Sequence, residues 1–339
     1  MRLNHVTVLG AGSWGTALAI LLSRHGKPVT LWGHHAKRIE QMQQQRSNPF
    51  YLPDLPFPEV LQLESDINKA IEPADLVLMV VPSHAFRETL RAGRSSLQSH
   101  QHIAWATKGM EHTSSKFMHT LVAEELGDDI KTAVISGPTF AAEVARGLPT
   151  AITVASGDQP YAEAIGRRLH DETFRAYTSH DVIGVEVGGS IKNVLAIAAG
   201  VADGLGFGAN TRAALITRGL SELTRLGIAL GGQAETFMGL AGMGDLVLTC
   251  TDNQSRNRRF GLALARGLSA EQARKEIGQV VEGEYSAKEA WQLAQDYQVD
   301  MPITEQVYRI LFENLDPHTA VHNLLGRQLK AEDDDSHAY

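Results

Sequence analysis

The stretch VTVLGAGSWGTALAILLSRHG, Val6–Gly26, sets three glycines, Gly10, Gly12 and Gly15, between a short apolar run and a long helical pattern. Val6 to Leu9 reads as a buried strand, and TALAILLSRHG reads as an amphipathic helix. At such a turn the first glycine allows a sharp change of direction. The second lets an anion approach the backbone, and the third lets helix pack on strand. The N–H groups around Ser13 and Trp14, at the helix start, then face that anion. GxGxxG is a weak signal by itself. A strand before it, a helix after it and a place at the start of a βαβ unit turn it into a dinucleotide-binding fingerprint. A tight turn with no ligand is the competing reading, and the context weighs against it.

Outward from this turn, strand-like and helix-like segments alternate up to about residue 180. PVTLWG, ADLVLMVVP, HIAWAT, TAVISG, TAITVAS and FRAYT read as strands. AKRIEQMQQQR, HAFRETLRAG, SKFMHTLVAEELG, FAAEVARG and AEAIGRRLH read as helices, and the proline-rich YLPDLPFPE reads as a loop. Near-continuous apolar strands separated by helices imply a sheet covered on both faces, a doubly wound Rossmann domain over residues 1–181. From GVEVGGSIKNVLAIAAG onward the pattern is helical, giving an all-α domain over 182–329. The tail KAEDDDSHAY, 330–339, is acidic and is expected to fray. The fold class is thus α/β plus all-α. At 339 residues two domains are the default, since single cores stop growing near this size.

Composition narrows the function. Apolar residues at 43% and charged residues at 21% describe a soluble globular chain. A net charge of -8 argues against nucleic acid as a partner while allowing a local basic pocket. The single cysteine, Cys250, excludes an internal disulfide and suits a reducing compartment. The N-terminus lacks the pattern of a signal peptide, and VLAIAAGVADGLGFGA is too interrupted to span a bilayer, so a cytoplasmic protein without integral membrane association is expected. No HExxH, CxxC or His/Cys/carboxylate cluster argues for a metal, and no GxSxG for a serine nucleophile.

Four segments carry candidate chemistry. The second strand ends in LWGHHAKR, where His34, His35, Lys37 and Arg38 replace the carboxylate that binds the ribose of NAD. This favours NADPH, with NADH tolerated, against a plain solvated helix start. In WATKGME, Lys108 follows a strand at the carboxyl edge of the sheet; a solvated loop charge is an equal reading. In GGSIKNVLAIAAG, Lys192 and Asn193 sit among small apolar residues, where an ammonium needs a partner or a purpose and burial lowers its pKa toward proton transfer. A lysine snorkelling from a helix edge is the alternative. In AGMGDLVLTCTDNQSRNRRF, Asp245 follows a glycine turn, and Ser255, Arg256 and Asn257 open a basic cluster suited to a phosphate. A helix N-cap followed by exposed arginines competes there and, on this segment alone, wins.

Taken together, GAGSWGTALA, ATKGME, ISGPTFAAEVARGLPT, GGSIKNVLAIAAG, GLAGMGDLVLTCTDNQSRNRRFG, GQVVEGEYSAKE and MPITEQVY resemble the bacterial NAD(P)-dependent glycerol-3-phosphate dehydrogenases along essentially the whole chain. The resemblance implies reduction of dihydroxyacetone phosphate to sn-glycerol 3-phosphate for phospholipid synthesis. It also implies a helical domain similar to that of 6-phosphogluconate dehydrogenase, and a homodimer. It places catalysis on Lys192 and substrate contacts on Lys108, Gly137, Thr139, Asp245, Ser255, Arg256 and Asn257. Cofactor contacts fall on Ser13, Trp14, His34, Lys108, Ala141, Arg256, Val280 and Glu282, beside the glycines Gly10, Gly12 and Gly15. The expected mechanism is hydride delivery to a carbonyl whose oxygen is stabilised and protonated by Lys192, oriented by Asp245, in a cleft between the domains. A ketopantoate or β-hydroxyacid reductase is the nearest enzymatic rival. A non-catalytic NAD(P)-sensing protein is the rival of another class.

Overall fold

The computed structural model describes residues 1–24 and 26–327; the acidic tail lies outside the described residues. The chain divides after Val182 into two compact units.

The first unit is built on an eight-stranded sheet. Its strands are β1 (Val6–Leu9), β2 (Val29–Trp32), β3 (Leu61–Glu64), β4 (Leu76–Met79), β5 (His102–Trp105), β6 (Thr132–Ser136), β7 (Thr150–Ala155) and β8 (Phe174–Ser179), in the order β8-β7-β6-β5-β4-β1-β2-β3. From β3 to β6 all neighbours pair in parallel. β1, β2 and β4 are buried along their whole length, which is why their sequences show no alternation. The chain moves outward from β1 in both directions. The topological switch point, where open α/β sheets bind ligands, therefore lies at the carboxyl ends of β1 and β4.

Three local departures from the sequence reading have physical causes. YLPDLPFPE is not all loop: Leu52–Pro56 pairs with Ser47–Asn48 as a short antiparallel ribbon, whose brevity accommodates its prolines. β3 and the five-residue helix Ile67–Ile71 escape a sequence reading because each is too short to show a period; the helix is marked instead by Asp66, whose carboxylate accepts from the Asn68 and Lys69 amides. β7 runs antiparallel to β6, and β8 then runs parallel to β7. The connection from β6 to β7, residues 137–149, holds only the six-residue helix Ala141–Arg146, whose rise of about 9 Å is short beside a strand of about 17 Å, and β7 enters from the edge where β6 leaves.

The second unit contains no strand among the described residues. Its centre is the 23-residue helix Val182–Gly204. This is the one described helix long and apolar enough to cross a bilayer, and most of it is buried. Helix Arg256–Ala265 lies against it at backbone distance. A Cβ on Gly200 would stand 2.1 Å from the Arg258 oxygen, and one on Gly261 2.2 Å from the Ile197 oxygen. Helices Ala209–Ala229, Asp245–Thr251, Glu282–Asp296 and Pro302–Phe312 complete the surroundings. The buried carboxylate of Glu222 secures the last of these, accepting from the Ile303 amide at 2.6 Å and the Thr304 amide at 3.1 Å.

Candidate functional site

The candidate residues fall into two groups, one in each unit. In the first unit, β1 turns at Gly10, whose φ of +126° is open chiefly to glycine. Helix Ser13–Ser23 starts directly afterwards, and a Cβ on Gly15 would lie 1.9 Å from the Gly10 oxygen, so only a glycine lets the helix begin so close to the strand. Gly12 differs: its Cβ direction meets no atom within 4 Å. Gly12 is also the N-cap of that helix, with no side-chain cap bond, which leaves the first-turn N–H groups to an anion. Beside them the indole Nε1 of Trp14 is buried without a hydrogen-bond partner. Open space, backbone donors and an orphan donor together fit the pyrophosphate of a dinucleotide.

The carboxyl ends of β5 and β6 add the next residues. Lys108 Nζ lies 3.4 Å from the Gly137 oxygen, and Thr139 Oγ1 lies 3.3 Å from the same oxygen. The loop that carries Lys108 is held on both sides. The Thr107 hydroxyl donates to the Val81 oxygen at 2.7 Å, and Arg87 donates a forked pair to Glu111 at 2.6 and 2.9 Å. Ala141 opens the helix after Thr139. Lys108, Gly137 and Thr139 are thus brought together although 31 residues separate the first from the last.

At the end of β2, the His34 and His35 rings lie with centroids 3.7 Å apart, tilted 43° to one another. Partial burial, then the nearby His35 and Arg38, hold the His34 imidazole below its ordinary pKa. Positive charge at this edge therefore comes from Lys37 and Arg38 rather than His34. The Arg38 guanidinium lies over the Phe50 ring, 4.8 Å from its centroid. A carboxylate, Glu64, does stand beside Trp32 across the ladder, but its Oε1 accepts from the Ser65 and Asp66 amides at 2.7 and 2.8 Å.

In the second unit, Lys192 keeps 7% of its surface and Asp245 1%. The ammonium donates to Asp245 Oδ1 at 2.5 Å and to Thr249 Oγ1 at 2.9 Å. Thr249 in turn donates to the Asp245 backbone oxygen, one turn earlier on the same helix. The snorkelling alternative is ruled out, since this lysine points inward. Thr249 was missed in the sequence, although its i+4 spacing from Asp245 puts both on one helix face. Neighbouring Cys250 is inert as a nucleophile, burial pushing its thiol up to about 12.

The basic cluster divides by role. Ser255 is the N-cap of helix Arg256–Ala265, its oxygen accepting from the Arg258 amide at 3.2 Å. Arg258 is buried and bonds to the Cys250 oxygen, Asn253 and Asp203. Asn257 donates to Asn193 Oδ1 at 2.8 Å and accepts from the Gly283 amide at 3.0 Å. Arg256 is exposed. Asn257 thereby joins Asn193, next to Lys192, to the start of helix Glu282–Asp296, where Val280 and Glu282 lie. Among the described residues no His, Cys, Asp or Glu group is arranged to hold a metal ion.

Two family models match the chain, those of the N-terminus and C-terminus of NAD-dependent glycerol-3-phosphate dehydrogenase, over residues 5–162 and 181–322. A glycerol-3-phosphate dehydrogenase [NAD(P)+] of Pseudoalteromonas translucida is 55% identical over 328 residues, covering 96% of this chain and 98% of the relative. The crystal structure of a glycerol-3-phosphate dehydrogenase from Coxiella burnetii superposes with a TM-score of 0.93 at 50% identity, over 96% of this chain and 99% of that one. A ketopantoate reductase from Ralstonia eutropha shares the fold, with a TM-score of 0.58 at 16% identity over 94% of this chain and all of its own. The chain belongs to the NAD(P)-dependent glycerol-3-phosphate dehydrogenase family.

Proposed function

We propose that this chain reduces dihydroxyacetone phosphate to sn-glycerol 3-phosphate with NADPH or NADH, and runs the reverse oxidation. The observation that carries this reading is a buried ammonium, Lys192, held by Asp245 and Thr249. When bound, the reduced nicotinamide supplies a hydride to the C2 carbonyl. Gly12 and the first-turn amides of helix Ser13–Ser23 hold the pyrophosphate, and Trp14, His34, Ala141, Val280 and Glu282 complete the cofactor contacts.

Lys192 stabilises the negative charge that develops on the carbonyl oxygen and gives that oxygen its proton. Asp245 aims the lysine, and Thr249, its hydroxyl held on the Asp245 backbone oxygen, accepts from the same ammonium. In the oxidation the neutral amine takes the hydroxyl proton. Arg256, with Ser255 and Asn257, grips the phosphate. Lys108, Gly137 and Thr139 supply the remaining substrate contacts. Binding energy from the phosphate, remote from the reacting carbon, positions C2.

Lys37 and Arg38, which follow β2 where a carboxylate would bind the ribose of NAD, favour the 2′-phosphate of NADPH. The first unit then serves as the cofactor domain and the second as the catalytic domain. A homodimer, implied by the family resemblance, is part of the same proposal. A cytoplasmic site is supported by the single, buried thiol of Cys250. Product supply to phospholipid synthesis follows from the reaction. The decisive assay is NADPH consumption with dihydroxyacetone phosphate, with ketopantoate in parallel. Turnover on ketopantoate and none on the triose phosphate would reverse the assignment.

A further inference from the structure

We propose that Asn48 is a positioning residue for the dinucleotide, locking the Ala11–Gly12 peptide so that the Gly12 amide faces the pyrophosphate. The inference rests on the NAD(P) reading of the glycine turn. Asn48 lies on the short ribbon outside the main sheet, yet its side chain is fully buried. Its Nδ2 donates to the Ala11 backbone oxygen at 3.1 Å and to Thr16 Oγ1 at 2.8 Å, and its Oδ1 accepts from the Phe50 amide at 3.2 Å. Both amide hydrogens are used, so the group is satisfied and its orientation is fixed.

The Ala11 carbonyl is not an arbitrary partner. A peptide is planar and trans, so its C=O and the next residue's N–H point in opposite directions. Holding the Ala11 oxygen on Asn48 therefore aims the Gly12 N–H the other way. The restraint is needed because Gly12 borders this peptide, and with no Cβ it leaves the peptide freer to flip than another residue would. Flipped, it would present a carbonyl oxygen to an anion instead of a donor. The other side of Ala11 is closed as well: a Cβ on Gly33 would stand 2.9 Å from the Ala11 methyl. The turn is thus boxed between Gly33 and Asn48, while the Gly12 side stays open.

The competing role for Asn48 is a strut that pins the ribbon to the first helix through Thr16. Two variants of the full chain separate the roles. Asn48→Asp keeps the shape and the Phe50 contact but cannot donate to Ala11; Thr16→Val removes the strut and leaves the Ala11 bond. The measurements are NADPH dissociation constants by fluorescence titration, hydrogen exchange of the segment 6–20 without cofactor, and KM for dihydroxyacetone phosphate at saturating NADPH. Asn48→Asp should weaken NADPH about tenfold or more, as expected for losing a charge-assisted hydrogen bond, and speed exchange in the glycine turn. KM for the triose phosphate should stay at the parental value. Thr16→Val should bind NADPH within about threefold of the parent. Asn48→Ser, too short to reach Ala11, takes the place of the aspartate variant if that one does not fold. Parental NADPH affinity and parental exchange in the Asn48 variant would overturn the proposal, as would equal weakening by Thr16→Val. A parent chain that binds no NADPH would instead remove the cofactor reading itself, while the cofactor-free exchange data would still report whether Asn48 orders the turn.

Discussion

The glycine turn of the first unit and the Lys192 helix of the second handle charge in opposite ways. The turn deletes side chains so that backbone N–H dipoles meet an anion, and no ionised group is buried there. The helix buries a full charge, Lys192, and compensates it with Asp245 and Thr249 across two elements. Under the proposed function the first arrangement binds without reacting and the second holds a proton where one is needed. A backbone N–H keeps its proton, whereas an ammonium can give one up, and on that proposal the difference puts binding in one region and chemistry in the other.

Substituting the lysine should produce the largest effect. Lys192→Ala should lower turnover about 10³-fold, as loss of a donor to a developing oxyanion does elsewhere. NADPH affinity should stay within about threefold of the parent, because the lost contact is made to the transition state. The variant should also lose about 3–5 kcal/mol in chemical denaturation, since Asp245 stays buried without its lysine. Near-parental turnover would take Lys192 out of the mechanism.

Arg256→Lys comes next. A point ammonium lacks the two-pronged geometry of guanidinium, so kcat/KM on dihydroxyacetone phosphate should fall roughly 10–100-fold, as a raised KM with a lowered kcat. Phosphate-free dihydroxyacetone provides the control: a poor substrate for the parent, it should be little worse for the variant. Equal losses on both substrates would move Arg256 to the cofactor or the fold.

The glycines test the binding side of the comparison. A valine at Gly12 enters open space, so Gly12→Val should fold with parental circular dichroism and weaken NADPH about tenfold, ~1.4 kcal/mol. A methyl at Gly15 collides with the Gly10 oxygen, so Gly15→Ala should lose about 1–3 kcal/mol of stability before any binding is measured. Identical behaviour of the two variants would mean that the open side of Gly12 is not where the anion sits.

The smallest effect concerns an acid that, unlike Asp245, has no cation on its unsatisfied oxygen. Glu289 is buried, its Oε1 has no hydrogen-bond partner, and burial, helped by the charge of Glu282, pushes its pKa from 4.5 to about 8. The folded state thus keeps a proton that the unfolded chain releases, so this group costs stability progressively as pH rises from about 4.5 to about 8. Glu289→Gln, which does not titrate, should match the parent near pH 5 and exceed it by roughly 1–3 kcal/mol near pH 9. Parallel pH profiles from thermal melts would show that Glu289 is not the source of the slope.

Sequence by itself determined what lies close along the chain. The Val6–Gly26 stretch carries strand, turn and helix together, and the positive φ of Gly10 and the close approach of Gly15 to the Gly10 oxygen are local backbone properties. The inward lysine was legible too, because its neighbours on both sides are small and apolar. Tertiary structure alone decided the partners. Thr249 reaches Lys192 across 57 residues, and Asn48 reaches Ala11 across 37. It also separated the arginines: Arg258 is buried with Asp203 while Arg256, two residues earlier, is exposed. The antiparallel entry of β7 was equally hidden, since strand direction depends on how far a connection can travel and not on the strand's own residues. Hydrogen bonds between distant residues leave no periodic trace in a sequence; they exist only once packing has brought donor and acceptor within about 3 Å.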